Sequence, residues 1–105
     1  MGYSIFWTRR ASSDIESIYR FYEAIAGKIV AKRRLQRIKQ GLSCLMTMPH
    51  IGPIDNDFSH TPCYRYLVVL DYRVYYFVEE HVVYIAAIWN CRRMGKAFDE
   101  RNTIK

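Results

Sequence analysis

The chain has 105 residues, enough for one compact core and, on that count, a single domain over residues 1–105. Half of the residues are hydrophobic and a quarter are charged, which excludes the disordered and fibrous classes. The longest apolar run, Val82 to Trp89, falls far short of the roughly 20 residues a membrane helix needs, and the first residues carry no signal-peptide pattern. A cytoplasmic protein with no membrane partner is expected.

Cys44, Cys63 and Cys91 are odd in number and too widely spaced for a disulfide framework or a CxxC metal pair. They read as reduced thiols. His50, His60 and His81 are equally scattered. His50 and His60 with Cys63 make one conceivable metal set on a loop, but the tight pairs of zinc signatures are missing. No metal and no cofactor are expected.

Charge says more. Sixteen Lys and Arg against ten Asp and Glu give a net charge of +6. Between Ala24 and Ile54 stand Lys28, Lys32, Arg33, Arg34, Arg37 and Lys39 with no acidic residue, so the whole excess is local. Such a field suits an anionic partner, either nucleic acid or an acidic protein segment. A solvated helix face is the plainer explanation.

In chain order, Tyr3 to Thr8 predicts a short strand, with Tyr3, Ile5 and Trp7 alternating with polar residues and Phe6 out of pattern. Ser12, Ser13 and Asp14 offer capping oxygens, and Ser13 with Glu16 fits a capping box. The helix that follows carries Ile15, Ile18, Tyr19, Tyr22 and Ile25 on one stripe and ends at Gly27. A second helix is predicted from Lys28 to about Met46. Its seam is Ala31, Leu35, Ile38, Leu42 and Leu45, which turns Arg33, Arg37 and Lys39 outward. Gly41 weakens that pattern. Met48 to Pro62 reads as a long polar loop. Tyr64–Leu70, Arg73–Val78 and Val82–Trp89 are strands joined by turns at Asp71-Tyr72 and Glu79-Glu80-His81, an antiparallel meander. A short C-terminal tail or helix around Gly95 to Glu100 closes the chain. The aromatics of these strands, interleaved with Arg65, Arg73, Arg92 and Arg93, suit base stacking and phosphate binding. For any single tyrosine, a place in the core or in a cross-strand pair is the stronger expectation.

Several short pieces now line up: Tyr3-Ser4-Ile5-Phe6-Trp7-Thr8, Ala11 with Asp14 to Tyr19, the basic second helix, Pro49 with Gly52, Arg65-Tyr66-Leu67, Tyr72 to Tyr76, and Ile85 to Ile88 running into Trp89-Asn90-Cys91-Arg92-Arg93. In this order and spacing they resemble a RelE/ParE superfamily toxin, over roughly residues 3–95. The resemblance implies an α+β fold of order β-α-α-β-β-β, a helical hairpin packed on a small twisted antiparallel sheet. It implies a cognate antitoxin with an acidic tail, which the charge of +6 suits independently.

The family divides by mechanism. RelE-like members cut mRNA on the ribosome, and there Arg65 with Arg92 or Arg93 matches phosphate-binding positions. That chemistry also needs a proton-transfer group. Phe98 stands near where many nucleases carry a C-terminal Tyr or His, and Asn90 stands where relatives show His. His50, His60, His81, Lys96 and Asp99 are substitutes that nothing selects. ParE-like members poison DNA gyrase by binding, and the segment from Trp7 to Ile18 looks closer to that branch. Under that reading Arg65, Arg73, Arg92 and Arg93, with Lys32, Arg33 and Arg37, form target-binding surfaces. A two-residue turn after the first strand of the meander puts Arg65 and Arg73 on opposite faces, and a turn one residue longer puts them on the same face. An inactive toxin or plain interaction module is the third possibility. The expectation is a binding toxin acting on gyrase, with the ribosome and mRNA as the alternative target.

Overall fold

The computed structural model describes residues 2–55 and 63–91. Strand β1 (Ser4–Trp7) leads into helix α1 (Arg9–Ala26) and helix α2 (Lys28–Leu42), followed by a 3-10 turn at Ser43–Met46. Strands β2 (Arg65–Val69), β3 (Tyr72–Glu79) and β4 (Val82–Asn90) complete the order β-α-α-β-β-β of an α+β fold. The sheet order is β1-β4-β3-β2. The last three strands form the expected antiparallel meander, whereas β1 runs parallel to β4 and makes the sheet mixed.

The hairpin forms because each helix has one apolar stripe. Ala11, Ile15, Ile18 and Tyr22 of α1 meet Ile38, Leu42 and Leu45 over Ile5, Trp7, Val74, Tyr76, Val83, Ile85 and Ile88 of the sheet. Ala31, Ile38, Leu42 and Leu45 of the predicted seam are fully or almost fully buried. Gly27 ends α1 with φ of 92°, a conformation that favours glycine, so the chain reverses there and starts α2 at once. Gly41 has a packing role that the helix pattern did not show. A Cβ there would stand 2.6 Å from Val69 Cγ1, so the glycine lets α2 approach β2 closely.

The start of α1 differs from expectation. Thr8, not Ser13, caps the helix, because its extended backbone ends β1 and its Oγ1 accepts the Ala11 N–H at 3.2 Å. Ser12 and Ser13 lie inside the helix and are exposed. Asp14 reaches across instead, and its Oδ2 accepts the Ile88 N–H of β4 at 2.9 Å. That N–H lies beyond the stretch of β4 paired with β1, which stops at Ile85. Thr8 serves the same edge. Its N–H donates to the Ile85 carbonyl at 3.2 Å, and its hydroxyl faces the Ile85 and Ala86 carbonyls at 2.7 and 3.3 Å.

Those carbonyls mark a bulge. Tyr75 pairs with Ala87 and Tyr76 with Ile85, leaving Ala86 without a partner on β3. The extra residue shifts the alternation, so Ile85 and Ile88 both face the helices while Ala87 and Trp89 face away. The turn between β2 and β3 also lies one residue earlier than expected. Val69 pairs with Tyr72 around Leu70 and Asp71, with Leu70 at φ of 56°, and Tyr72 becomes a buried strand residue. Part of the expected loop is ordered against β2: Ile54 bridges Arg65, and the Tyr66 N–H donates to the Pro53 carbonyl at 3.1 Å. The expected C-terminal helix and most of the polar stretch before Pro62 lie outside the described residues.

Thr8→Val keeps the side-chain volume and removes the cap together with the bond to β4. It is expected to lower stability by about 1–2 kcal/mol in urea denaturation. An unchanged midpoint would show that the hydroxyl contributes nothing to the junction.

Candidate functional site

The strand register decides which cations act together. On β2 and β3, Arg65, Leu67, Val69, Tyr72, Val74 and Tyr76 share the helix-side face, while Tyr66, Val68, Arg73 and Tyr75 share the other. Arg65 and Arg73 therefore face opposite sides, the outcome that a two-residue turn dictates.

Arg65 is held by its own chain. Its Nη1 donates to the Gly52 carbonyl at 2.8 Å and the His50 carbonyl at 3.1 Å. Gly52 is enclosed from both sides: its N–H donates to the Tyr76 hydroxyl at 2.9 Å, and a Cβ would run into the Tyr66 carbonyl. Arg65 thus latches the segment after α2 onto the sheet. The spacing of Pro49, Gly52 and Arg65 is a structural motif in this chain as well as a candidate binding element.

Arg73 sits on the outer face. Its guanidinium lies 4.3 Å from the centre of the Tyr66 ring, a cation–π stack. Tyr66, Tyr75 and Trp89 follow one another, with centroid separations of 6.1 and 6.2 Å. Phe6, Tyr84, Phe77 and Tyr64 form a second row, in which Phe77 and Tyr84 stack at 5.0 Å and 14°. Phe6, out of pattern in the sequence, belongs to this row because β1 places it opposite Tyr84. Arg73 and Trp89 are direct partners across β3 and β4, and Arg73 Nε and Trp89 Nε1 are both buried with no acceptor among the described residues. A buried donor in that state costs about 1–3 kcal/mol.

The basic residues of α2 form a third surface. Lys32, Arg33 and Arg37 are exposed on the side of the helix away from the sheet. Arg34 behaves differently: it stands beside the Ala31–Ile38 seam, and its partners were not visible in the sequence. It lies 4.6 Å over the Tyr22 ring and 3.5 Å from the Asp71 carboxylate, tying both helices to the β2–β3 turn. Arg92 and Arg93 lie outside the described residues, as do His60, Lys96, Phe98 and Asp99.

Of the candidate proton-transfer groups, only His81 and His50 lie among the described residues. His81 is in the β3–β4 turn, beside Tyr3, and six strand residues separate Arg73 from that end, roughly 20 Å of strand. His50 is exposed on the segment that Arg65 latches. Among the described residues, no group of three His, Cys, Asp or Glu is placed to hold a metal.

Three buried tyrosines hold their protons firmly. Burial pushes Tyr72 up to about 12, the Tyr22 hydroxyl adds to the rise, and Arg34 opposes it. Burial also raises Tyr75, where Arg73 pulls down and Asp55 pushes up, and Tyr76, where the Gly52 N–H and Arg65 pull down. At neutral pH these hydroxyls are hydrogen-bonding groups rather than bases.

The rise at Tyr72 has a consequence at high pH. Unfolded tyrosine ionises near 10, whereas folded Tyr72 keeps its proton to about 12. Its contribution to stability is intact below pH 10 and is lost as pH rises through 12. Tyr72→Phe should remove one late-titrating phenol from the ultraviolet titration and flatten the alkaline loss of stability. An alkaline titration identical to that of the native chain would contradict this assignment.

Among solved structures, the chromosomal ParDE TA system from P. aeruginosa holds a chain similar to this one, with a TM-score of 0.71 and 24% sequence identity, covering 84% of this chain and 95% of that chain. That likeness speaks for the fold. No curated protein sequence matches. A family model described as the ParE toxin of the type II toxin–antitoxin system parDE matches residues 5–95. The chain, most of it spanned by that match, belongs to the ParE toxin family of type II toxin–antitoxin systems.

Proposed function

We propose that this chain arrests growth in the cytoplasm by binding DNA gyrase, and that a cognate antitoxin with an acidic tail neutralises it. The toxin family supports the role. The observation that supports the mode of action is the dispersal of the candidate cations among the described residues. Arg65 is committed to two carbonyls on the helix side, Arg73 is stacked on the outer face, and Lys32, Arg33 and Arg37 point away on α2. Cutting a phosphodiester needs cations converging on one phosphate, with a proton acceptor within hydrogen-bond reach. Dispersed cations and aromatic rows suit contact with an extended macromolecular surface instead.

One observation favours the alternative, a ribosome-dependent mRNA endonuclease. Arg73 over Tyr66, with Tyr75 and Trp89 beside it, is the kind of platform on which bases stack.

Purified chain should inhibit supercoiling by purified gyrase and accumulate cleaved DNA, and it should leave a defined mRNA intact in a reconstituted translation reaction read by primer extension. New mRNA ends that appear only on translating ribosomes, with gyrase unaffected, would reverse the two readings.

A further inference from the structure

The segment after α2 presents apolar side chains to solvent on a backbone that is held in place. Met48 and Ile51 are each 51% exposed, Ile54 is 44% exposed and Met46 42%, all within a short stretch of chain. Hydrogen bonds fix this stretch at both ends and in the middle. The Met46 carbonyl accepts the Tyr3 N–H at 2.8 Å, beside the start of β1. The Ile51 N–H donates to the Met48 carbonyl at 3.2 Å, while Arg65 and Tyr76 grip His50 and Gly52. At the far end Ile54 bridges Arg65, and the Asp55 N–H donates to the Tyr64 carbonyl at 2.9 Å. Pro49 and Gly52 are buried between the exposed residues, so the segment is anchored by some positions and displays the others. Apolar side chains grouped on a held loop mark an interaction surface, and a backbone ordered in advance lowers the cost of binding. Methionine also adapts its shape to a partner.

Charge selects the occupant. From Ser43 to Ile54 the chain has no Asp, Glu, Lys or Arg, and Arg65, which touches the segment, turns its Nη1 onto carbonyls. An acidic antitoxin tail, or an mRNA with its phosphates, finds no complementary charge on this stretch. A second copy carries the same net charge of +6, and net charges of one sign oppose self-association. An uncharged apolar patch suits an apolar surface on a different protein. Among the partners proposed for the chain, that leaves gyrase.

We infer that this segment is the face that meets gyrase, with Met46, Met48, Ile51 and Ile54 seated on an uncharged apolar surface of the enzyme. The inference rests on the reading that gyrase is the target, and it adds which face makes the contact and by what chemistry.

The test uses the full chain with purified gyrase and relaxed plasmid, read as the chain concentration that halves supercoiling and as binding by calorimetry. Native chain should inhibit and bind. Met48→Glu with Ile51→Glu should require about 30-fold more chain, the effect of losing central apolar anchors. Met48→Ala with Ile51→Ala adds no charge and should require about tenfold more, by the same factor at two salt concentrations. Both pairs replace exposed residues, so they should keep the native melting temperature and bind the whole purified product of the adjoining reading frame as native chain does. Ser12→Glu, exposed near the start of α1, should inhibit as native. Native-like inhibition by the alanine pair would overturn the contact face while leaving gyrase as the target. No inhibition and no binding by the native chain would overturn the gyrase reading and the contact face together. If the alanine pair lost the adjoining frame's product at an unchanged melting temperature, the patch would belong to the antitoxin. If it abolished a concentration-dependent dimer of the native chain, the patch would belong to a second copy. Either result would overturn the assignment to gyrase.

Discussion

Thr8 is the residue on which the architecture turns. It ends β1, caps α1 and bonds to β4, whose Ile85 lies 77 positions further along the chain. Parallel pairing with β1 ends at Ile85, and beyond that point the central strand would present bare peptide groups under the helices. The Thr8 hydroxyl and the Asp14 carboxylate fill that gap, on the Ile85 and Ala86 carbonyls and the Ile88 N–H. Buried peptide groups must find partners, so the register of the hairpin on the sheet follows from two polar side chains. The bulge at Ala86 then returns Ile88 to the core and sends Trp89 to the outer face.

Three chemically different surfaces result. The helix side is occupied by the core, and Arg65 at its margin closes the segment after α2. The outer side carries aromatic rows with Arg73, whose Nε is buried, like Trp89 Nε1, with no acceptor among the described residues. The hairpin carries exposed cations on α2 and an apolar end. A toxin neutralised by one partner and active on another needs surfaces that recognise macromolecules. The geometry supplies them without gathering its described cations around one reacting atom.

Much of the fold was legible in the sequence, because helix periodicity and turn chemistry are local. The seam from Ala31 to Leu45, the break at Gly27 and the three Val- and Tyr-rich strands followed from spacing alone. What escaped depended on distant contacts. Ser13 looks like the better cap until β4 is seen to hold Thr8 and Asp14. A bulge inside Ile85 to Trp89 leaves no mark in an apolar run whose two faces are both largely buried. Gly41 reads as a weak helix residue because Val69, its reason for being small, lies 28 positions away in the chain. The site was legible as a set of residue types but not as a geometry. Helix spacing sets Arg33 outward and Arg34 beside the seam, but the partners that hold Arg34, Tyr22 and Asp71, lie too far away in sequence to be read locally.

The central claim is that the chain acts on DNA topology by binding rather than on mRNA by cleavage. Its most direct test is to induce the chain in growing cells and follow labelled thymidine and labelled methionine incorporation over the first minutes. The account predicts that DNA synthesis stops first, with chromosome breaks, while protein synthesis continues. Protein synthesis stopping first, with intact chromosomes, would contradict it.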